Sequence, residues 1–497
     1  MKRDAQINAL NSTERWDMII IGGGATGLGS ALDAASRGFK TLCIERIDFS
    51  KGTSSRSTKL IHGGVRYLEQ GNFNMVKHAL QERWFLLKNA PSATQKIPFI
   101  LPVYSWWRYF YYGLGLMLYD FLSGKFSIGK TRFLNRKAVI QKIPTIRQQS
   151  LKGGIKYFDG QFDDSQISMA LARTAISKGA TVINHLAADT FTYDQGKITG
   201  VMVKDMLSGK TYTLKCKVII NATGVFADEL MKKDDHTHKN MVSPSQGIHI
   251  VVDKKHYNSD KALLIPKTTD GRILFAVPWH QKVVIGTTDV KTHDIAIEPK
   301  ATNEEIRFVI DNFNRYTNQQ LTLADIKSVF AGLRPLVKMK NIQSTADLVR
   351  DHSIAVSESG MITITGGKWT TYRKMARDAV NKALRTSELP FRRCKTRTIK
   401  LIFLVKQSQE NSKLLHPDFP YTEADVRHAV QMEMACTLED VLARRIRLLF
   451  LDVNVALEIA PKAGVIMQNE LGKDDVWFQD QIKAFSQLAQ NYLPDNI

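Results

Sequence analysis

Three glycines spaced Gly22-x-Gly24-x-x-Gly27 stand between a short apolar run and a stretch of small residues. That spacing suits the pyrophosphate of a dinucleotide. The first glycine permits a tight turn, the second lets backbone approach the phosphates, and the third lets a helix pack on its strand. The phosphate charge would then face free N–H groups and the positive end of the helix dipole. Glu45 closes the next apolar run, about twenty residues on, where a carboxylate can accept from a ribose hydroxyl. A second reactive stretch runs from Thr53 to Leu68 and reads TSSRSTKLIHGGVRYL. It combines hydroxyls, Lys59, His62, two glycines and the pair Arg66-Tyr67. Such a loop can bond the edge of a cofactor ring and set a cation beside an anionic substrate.

These residues need a scaffold, and the hydrophobic pattern supplies one. Trp16 to Ile21 predicts a strand, Ala25 to Arg37 a helix and Lys40 to Glu45 a second strand, together a β-turn-α-β unit. Apolar residues at Phe73, Val76, Leu80, Trp84 and Leu87 predict a helix over 73–89, closed by Pro91. Ser165 to Ser177 reads as helix and Thr181 to Asn184 as strand. Hairpins follow around Asp194-Gln195-Gly196 and Ser208-Gly209. Val218 to Asn221 and Ile362 to Thr365 are apolar runs that return to the first sheet, the latter followed by a helix over 370–385. Between them, Gln246 to Asp289 reads as antiparallel strands turning at Thr269-Asp270-Gly271. The glycine motif alone leaves NAD and FAD open. Its N-terminal position, in a chain that leaves the sheet and returns twice, favours FAD.

The expected fold class is α/β: a Rossmann-like FAD-binding domain, an antiparallel β-sheet cap over substrate, and a helical C-terminal domain. The expected boundaries are 1–90, 161–225 and 346–388 for the FAD-binding segments. A cap or membrane-associated segment takes 91–160, the substrate cap 226–345, and the helical domain 389–497.

The segment Thr53 to Leu68 closely resembles the S-S-x-x-S-x-K-L-I-H-G-G-x-R-Y-L stretch of FAD-dependent glycerol-3-phosphate dehydrogenases. Further matches follow in order. Asn221-Ala222-Thr223-Gly224 resembles the family's N-A-T-G turn, Ile285 to Asp289 its I-G-T-T-D, and Gly332 to Leu336 its G-x-R-P-L. Arg350-Asp351 is similar to its R-D pair, and Gly366 to Arg373 to its G-G-K-L-T-T-Y-R. Trp369 replaces the family's usual Leu, and Val225-Phe226 its usual Pro-Trp.

The resemblance implies oxidation of glycerol 3-phosphate to dihydroxyacetone phosphate, with FAD taking the hydride. It places Arg66, Tyr67, Arg334, Arg350 and Lys368 around substrate. Arg66, Tyr67 and Arg350 are assigned to the phosphate, Arg334 and Lys368 to C1 and C2. Arginine suits a phosphate because its planar fork presents paired donors. His62 and Lys368 are the two candidates for accepting the hydroxyl proton. By position, Thr53, Ser54, Lys59, Leu60, His62, Thr223, Gly224, Asp289, Gly367 and Thr370 join Gly22, Gly24, Gly27 and Glu45 as FAD contacts.

The formal charge of +21 points to a polyanionic partner. Trp106 to Leu122 opens with Trp106-Trp107-Arg108-Tyr109-Phe110-Tyr111-Tyr112. It is too short and too charged to span a bilayer, but its Trp, Tyr and Arg suit the headgroup level of an anionic membrane. The expected partners are therefore glycerol 3-phosphate, a membrane quinone and an anionic membrane surface, with a homodimer left open. The expected place is cytoplasmic, peripheral on the inner face of the cell membrane; no signal peptide is read at the N-terminus. Cys43, Cys216, Cys394 and Cys436 show no C-x-x-C spacing, which argues against structural zinc, an iron–sulfur cluster or a redox dithiol. No metal is expected. A glycerol-3-phosphate oxidase would share fold and site and reduce oxygen instead. An amine- or amino-acid-oxidising flavoenzyme would find this much positive charge excessive. A nucleic-acid-binding module would show a stacking platform and a basic run, whereas the strongest motifs here concern a dinucleotide.

Overall fold

The computed structural model describes residues 1–65, 71–338, 352–404 and 412–494. Its first sheet grows from strand β1 (Arg15–Ile21), helix α1 (Ala25–Ser36) and strand β2 (Thr41–Ile44). Met18 to Ile21 is apolar without alternation and buried throughout, as a parallel strand covered on both faces requires. β1 pairs in parallel with β2 on one side and with Thr211–Asn221 on the other. Thr181–Ile183 extends the sheet beyond β2, and Ile362–Gly366 extends it beyond Thr211–Asn221, both in parallel. The two apolar returns predicted at 218–221 and 362–365 are therefore real.

Small residues make α1 an enclosed helix. It lies against the sheet, helix Asp164–Ser177 and helix Tyr372–Thr386, and residues 27–35 are all buried. A Cβ on Gly29 would come within 2.9 Å of the Tyr372 ring. Interiors packed this densely tolerate no extra methyl there.

The second sheet carries Val242–Asp253, Lys282–Gly286, Leu274–Trp279, Ala262–Ile265, Thr94–Val103 and Gly153–Phe162 as successive neighbours. Ile326–Val337 pairs along Val242–Asp253. Pairing is antiparallel apart from Ala262–Ile265 against Thr94–Val103. Strands from 91–160 and from 226–345 thus share one sheet, which lies over the C-terminal edge of the first.

Helix α2 (Trp106–Ser123) rides on this second sheet. Gly113, Leu116, Tyr119 and Ser123 form its buried stripe. Its outer face is apolar as well: Trp107, Leu114 and Phe121 are 77%, 64% and 81% exposed. Among the described residues no helix is long and apolar enough to cross a membrane.

The C-terminal helices Glu423–Glu433, Val453–Leu471 and Asp475–Gln490 pack around a core that also takes in Val251, Trp279, Val284 and Phe330 of the second sheet. Arg444, Arg445 and Arg447, which interleave the apolar stretch 438–451, are buried. Arg444 and Arg445 both donate to Asp48, just beyond β2, and Arg447 to Asp164 at 3.0 Å. These pairs pin the helical domain to the first sheet. Removing one partner would strand a buried charge, typically at a cost of about 3–5 kcal/mol.

Candidate active site

The first cavity, of about 230 Å³, opens at the C-terminal edge of the first sheet, where ligands of open α/β sheets bind. Glycine-rich turns form part of its wall. Gly22 holds φ at +115°, and a Cβ there would strike the Ala222 carbonyl at 2.6 Å. A Cβ on Gly27 would fall 1.8 Å from the Gly22 carbonyl oxygen. Gly24 caps the N-terminus of α1, whose first N–H, at Ala25, donates to the Ser54 hydroxyl at 3.0 Å. Glu45 lies half-buried at the rim, where its carboxylate accepts from the N–H groups of Gly23 (2.7 Å) and Ile47 (3.0 Å). Burial raises its pKa against the lowering effect of those two bonds. Thr223, Gly224, Gly367 and Lys368 close the far side, with Gly224 and Gly367 at positive φ. This is a cradle that side chains would fill, facing a helix N-terminus with an acid at the ribose position. It fits FAD.

The second cavity, of about 210 Å³, lies under the second sheet and is lined by His62, Arg272, Thr287, Asp289 and Arg334, with Tyr157 and Asp159. Arg334 is held in place from three sides. Its guanidinium donates to the carbonyls of Gln246 (3.2 Å) and Thr288 (2.9 Å) and to the Thr287 hydroxyl (3.1 Å), and it pairs with Asp289 at 3.4 Å. Asp289 also accepts from Ser245, and its carbonyl accepts from Arg272. Deeper in the wall, His249 shares a 2.9 Å hydrogen bond with Thr58 and stacks on Phe330. Burial, helped by the charges of Lys59 and Arg334, pushes its pKa well below the usual value. The imidazole is neutral.

The two cavities adjoin. Residues 53–54 line the first and Thr58, Leu60 and His62 the second, so the hydroxyl-rich segment runs from one to the other. On the facing strand Arg334 lines the second cavity and Pro335 the first, while the Leu333 carbonyl accepts from Thr53 at 2.6 Å. Thr370 donates to the His62 carbonyl at 3.3 Å, which ties the Gly366-Gly367 turn to the same segment.

The structure brings together most of the residues singled out by sequence. Gly22, Gly24, Glu45, Thr53, Ser54, Thr223, Gly224, Gly367 and Lys368 line the first cavity. Leu60, His62, Asp289 and Arg334 line the second, so Leu60, His62 and Asp289 stand on the substrate side of the expected FAD contacts. Gly27 and Thr370 line neither and act behind the wall. Lys59 also lines neither, for a physical reason: its ammonium is buried and donates to Asp164 and to the Ser55 carbonyl, both at 2.7 Å. Burial lowers its pKa to about 7 against the pull of Asp164. Arg66, Tyr67 and Arg350 lie outside the described residues. Sequence reading missed Arg272 and His249. Arg272 directly follows the recognised turn at 269–271, a position a strand-end cation could have flagged. His249 sits mid-strand with no spacing signal at all.

A dinucleotide cavity roofed by an antiparallel sheet and joined to a cationic pocket defines a dinucleotide-dependent oxidoreductase. Comparison with known proteins makes this specific. Residues 17–373 match the FAD dependent oxidoreductase family, and residues 362–476 match the C-terminal domain of alpha-glycerophosphate oxidase. The chain is 38% identical to a probable mitochondrial glycerol-3-phosphate dehydrogenase of Caenorhabditis elegans and 36% identical to the mitochondrial glycerol-3-phosphate dehydrogenase of Homo sapiens. Each match takes in 97% of this chain and 74% of the relative. The crystal structure of a glycerol-3-phosphate dehydrogenase from Bacillus halodurans, complexed with FAD, superposes with a TM-score of 0.81 at 28% identity, over 100% of this chain and 98% of that one. An L-alpha-glycerophosphate oxidase from Mycoplasma pneumoniae shares the fold at a TM-score of 0.59 and 18% identity, over 75% of this chain and 95% of that one. The chain belongs to the FAD-dependent oxidoreductases, in the glycerol-3-phosphate dehydrogenase family.

Proposed function

We propose that this protein oxidises sn-glycerol 3-phosphate to dihydroxyacetone phosphate and passes the electrons to a membrane quinone. The observation that carries the chemistry is the cationic cavity opening beside the dinucleotide cavity, with Arg334 fixed between them. Bound FAD supplies the acceptor for the C2 hydride. Its pyrophosphate would rest on the Gly22–Gly27 turn and the N-terminus of α1, its ribose on Glu45.

The chain's own side chains do the rest. The substrate phosphate is roughly a dianion at neutral pH and needs several donors at once. We assign it to Arg66, Tyr67 and Arg350 from the family resemblance, and add Arg272. Arg334 and Lys368 are assigned to C1 and C2. The anchoring of Arg334 means that it stabilises developing charge without reorganising, which is where fixed donors gain most. His62 and Lys368 approach from the two cavities and are the candidates for the hydroxyl proton. In single-turnover flavin reduction, His62→Asn or Lys368→Met should abolish the acidic limb of the pH profile, the fall in rate as the base is protonated, for whichever residue is the base.

Helix α2 supports a peripheral membrane location. Its outward face carries Trp107, Phe110, Leu114 and Phe121, a composition suited to the bilayer interface. Oxygen as terminal acceptor is the second reading; it predicts stoichiometric hydrogen peroxide in air, where a quinone enzyme gives little.

Two substrates test the chemistry. Glycerol 3-phosphate deuterated at C2 should reduce the flavin more slowly than the protiated ester. Glycerol, lacking the phosphate, should do so on the order of 10⁴ times less efficiently. Equal efficiency with glycerol would overturn the role of the cationic cavity.

A further inference from the structure

A third cavity, of about 370 Å³, lies at the N-terminal end of α2 and touches neither of the other two. Arg108 of α2, Lys267 and Thr269 from the turn before Leu274–Trp279, and Arg315 and Tyr316 from the end of helix Asn303–Asn314 line it. The three cations come from three separate elements, all are exposed, and among the described residues none makes a salt bridge. The nearby carboxylate, Asp270, is engaged by Thr268 and Arg272 instead.

The frame behind the cations is ordered. Tyr316 donates to the Lys267 carbonyl at 3.0 Å and packs edge-on against Tyr104, over which Arg147 lies at 5.1 Å. Burial raises the Tyr316 pKa, with the charges of Arg315, Arg108 and Arg147 acting in the opposite sense. Like charges gathered without counter-charge repel one another, and an anion relieves that cost. Through Arg108 the cavity also stands beside the exposed aromatic start of α2. Trp106 and Trp107, 57% and 77% exposed, precede Arg108 directly. A helix lying with that face in a bilayer would hold Arg108 at the depth of the lipid phosphates.

We propose that the cavity formed by Arg108, Lys267 and Arg315 is a binding site for the phosphate of an anionic phospholipid headgroup. The proposal rests on the peripheral location given above and adds a defined anchor to it. The apolar face supplies insertion, and the cavity supplies preference for negative lipid. This occupant is favoured over free phosphate because the cavity adjoins a surface that is itself suited to lipid.

Vesicle sedimentation of the FAD-loaded protein tests it, with phosphatidylcholine alone and with phosphatidylcholine containing phosphatidylglycerol. Wild type should bind both and prefer the second. The triple variant Arg108→Gln, Lys267→Gln, Arg315→Gln should keep its binding to neutral vesicles and its activity with a soluble quinone. It should lose on the order of 100-fold in partition to the anionic vesicles. A charge-matched variant on the first sheet's hairpins, Lys204→Gln, Lys210→Gln, Lys215→Gln, should keep most of the preference. The site is overturned if the first triple variant retains the preference, or if the hairpin variant loses as much, since overall charge would then suffice. It is overturned as a lipid site if inorganic phosphate binds the free protein there and vesicles do not compete. If wild type binds neither kind of vesicle, the peripheral location itself fails.

Discussion

Glycine turns pressed against neighbouring backbone shape the dinucleotide cavity, whereas the cationic cavity beside it depends on a long side chain held by carbonyls, a hydroxyl and a carboxylate. In the first, Gly22 in the wall and Gly27 just behind it face carbonyl oxygens that cannot retreat. In the second, Arg334 is aimed by two carbonyls, a hydroxyl and a carboxylate. Backbone walls tolerate no added atom; side-chain walls tolerate substitution of shape but not of charge. The difference predicts that the first region breaks by losing its cofactor and the second by losing rate with cofactor in place.

Gly27→Val should give the largest effect. Its side chain meets an immovable carbonyl, overpacking of the kind that costs about 1–3 kcal/mol or more, and the purified protein should be colourless. A yellow, fully loaded Gly27→Val protein would erase the contrast. Arg334→Met comes next. Loss of one fixed donor should lower turnover by about 10²–10³-fold while FAD content, read from the flavin absorbance, stays at wild type. Loss of flavin in that variant would show that the two walls are not independent.

The uneven legibility of the two regions follows from the same contrast. Gly22, Gly24, Gly27 and Glu45 were readable because a turn that only glycine permits leaves a fixed spacing in sequence. The strand at 218–221 was readable because burial on both faces leaves an unbroken apolar run. The cationic cavity draws on residues 62, 272, 289 and 334, distant in sequence and brought together by strand pairing across the whole second sheet, from Leu60–Ile61 on Gly153–Phe162 to Val242–Asp253 on Lys282–Gly286 and Ile326–Val337. Resemblance to a family found His62, Asp289 and Arg334; the turn at 269–271 was the one local signal near Arg272, and no local pattern could have found His249. Lys59 shows the converse error. It stands in a strong motif, but Asp164 and the ring of Trp279, Phe330 and Phe450 claim its side chain. Arg444, Arg445 and Arg447 interleave an apolar stretch, and nothing in that stretch names their partners Asp48 and Asp164, which lie far off in sequence.

Smaller effects sharpen the comparison. Arg272→Ala should raise the KM for glycerol 3-phosphate by roughly tenfold, about 1.4 kcal/mol, with FAD retained; an unchanged KM would remove it from the phosphate set. Glu45→Gln should weaken FAD several-fold, on the order of 1 kcal/mol for one hydrogen bond, and leave the KM for substrate alone.

Glu298 offers the smallest and a pH-dependent change. Desolvation raises its pKa, but Arg56 and Lys51 outweigh that and lower it to about 2. Because the folded-state value lies below the unfolded one, the ionised pair stabilises the fold at neutral pH. That contribution begins to fade below the ordinary glutamate range and is gone once pH falls through about 2. Glu298→Gln should therefore lower Tm at pH 7 by roughly 2–5 °C and flatten the acid side of the stability profile. Equal Tm values for variant and wild type at pH 7, with a gap opening only in acid, would have the wrong sign.

The most direct test is an anaerobic titration of the purified flavoprotein with glycerol 3-phosphate, followed at the flavin's visible absorbance. The expected result is bleaching that ends near one equivalent, with dihydroxyacetone phosphate formed in equal amount and colour restored on adding a soluble quinone. Colour that persists through excess ester would contradict the assignment of the two joined cavities to this oxidation.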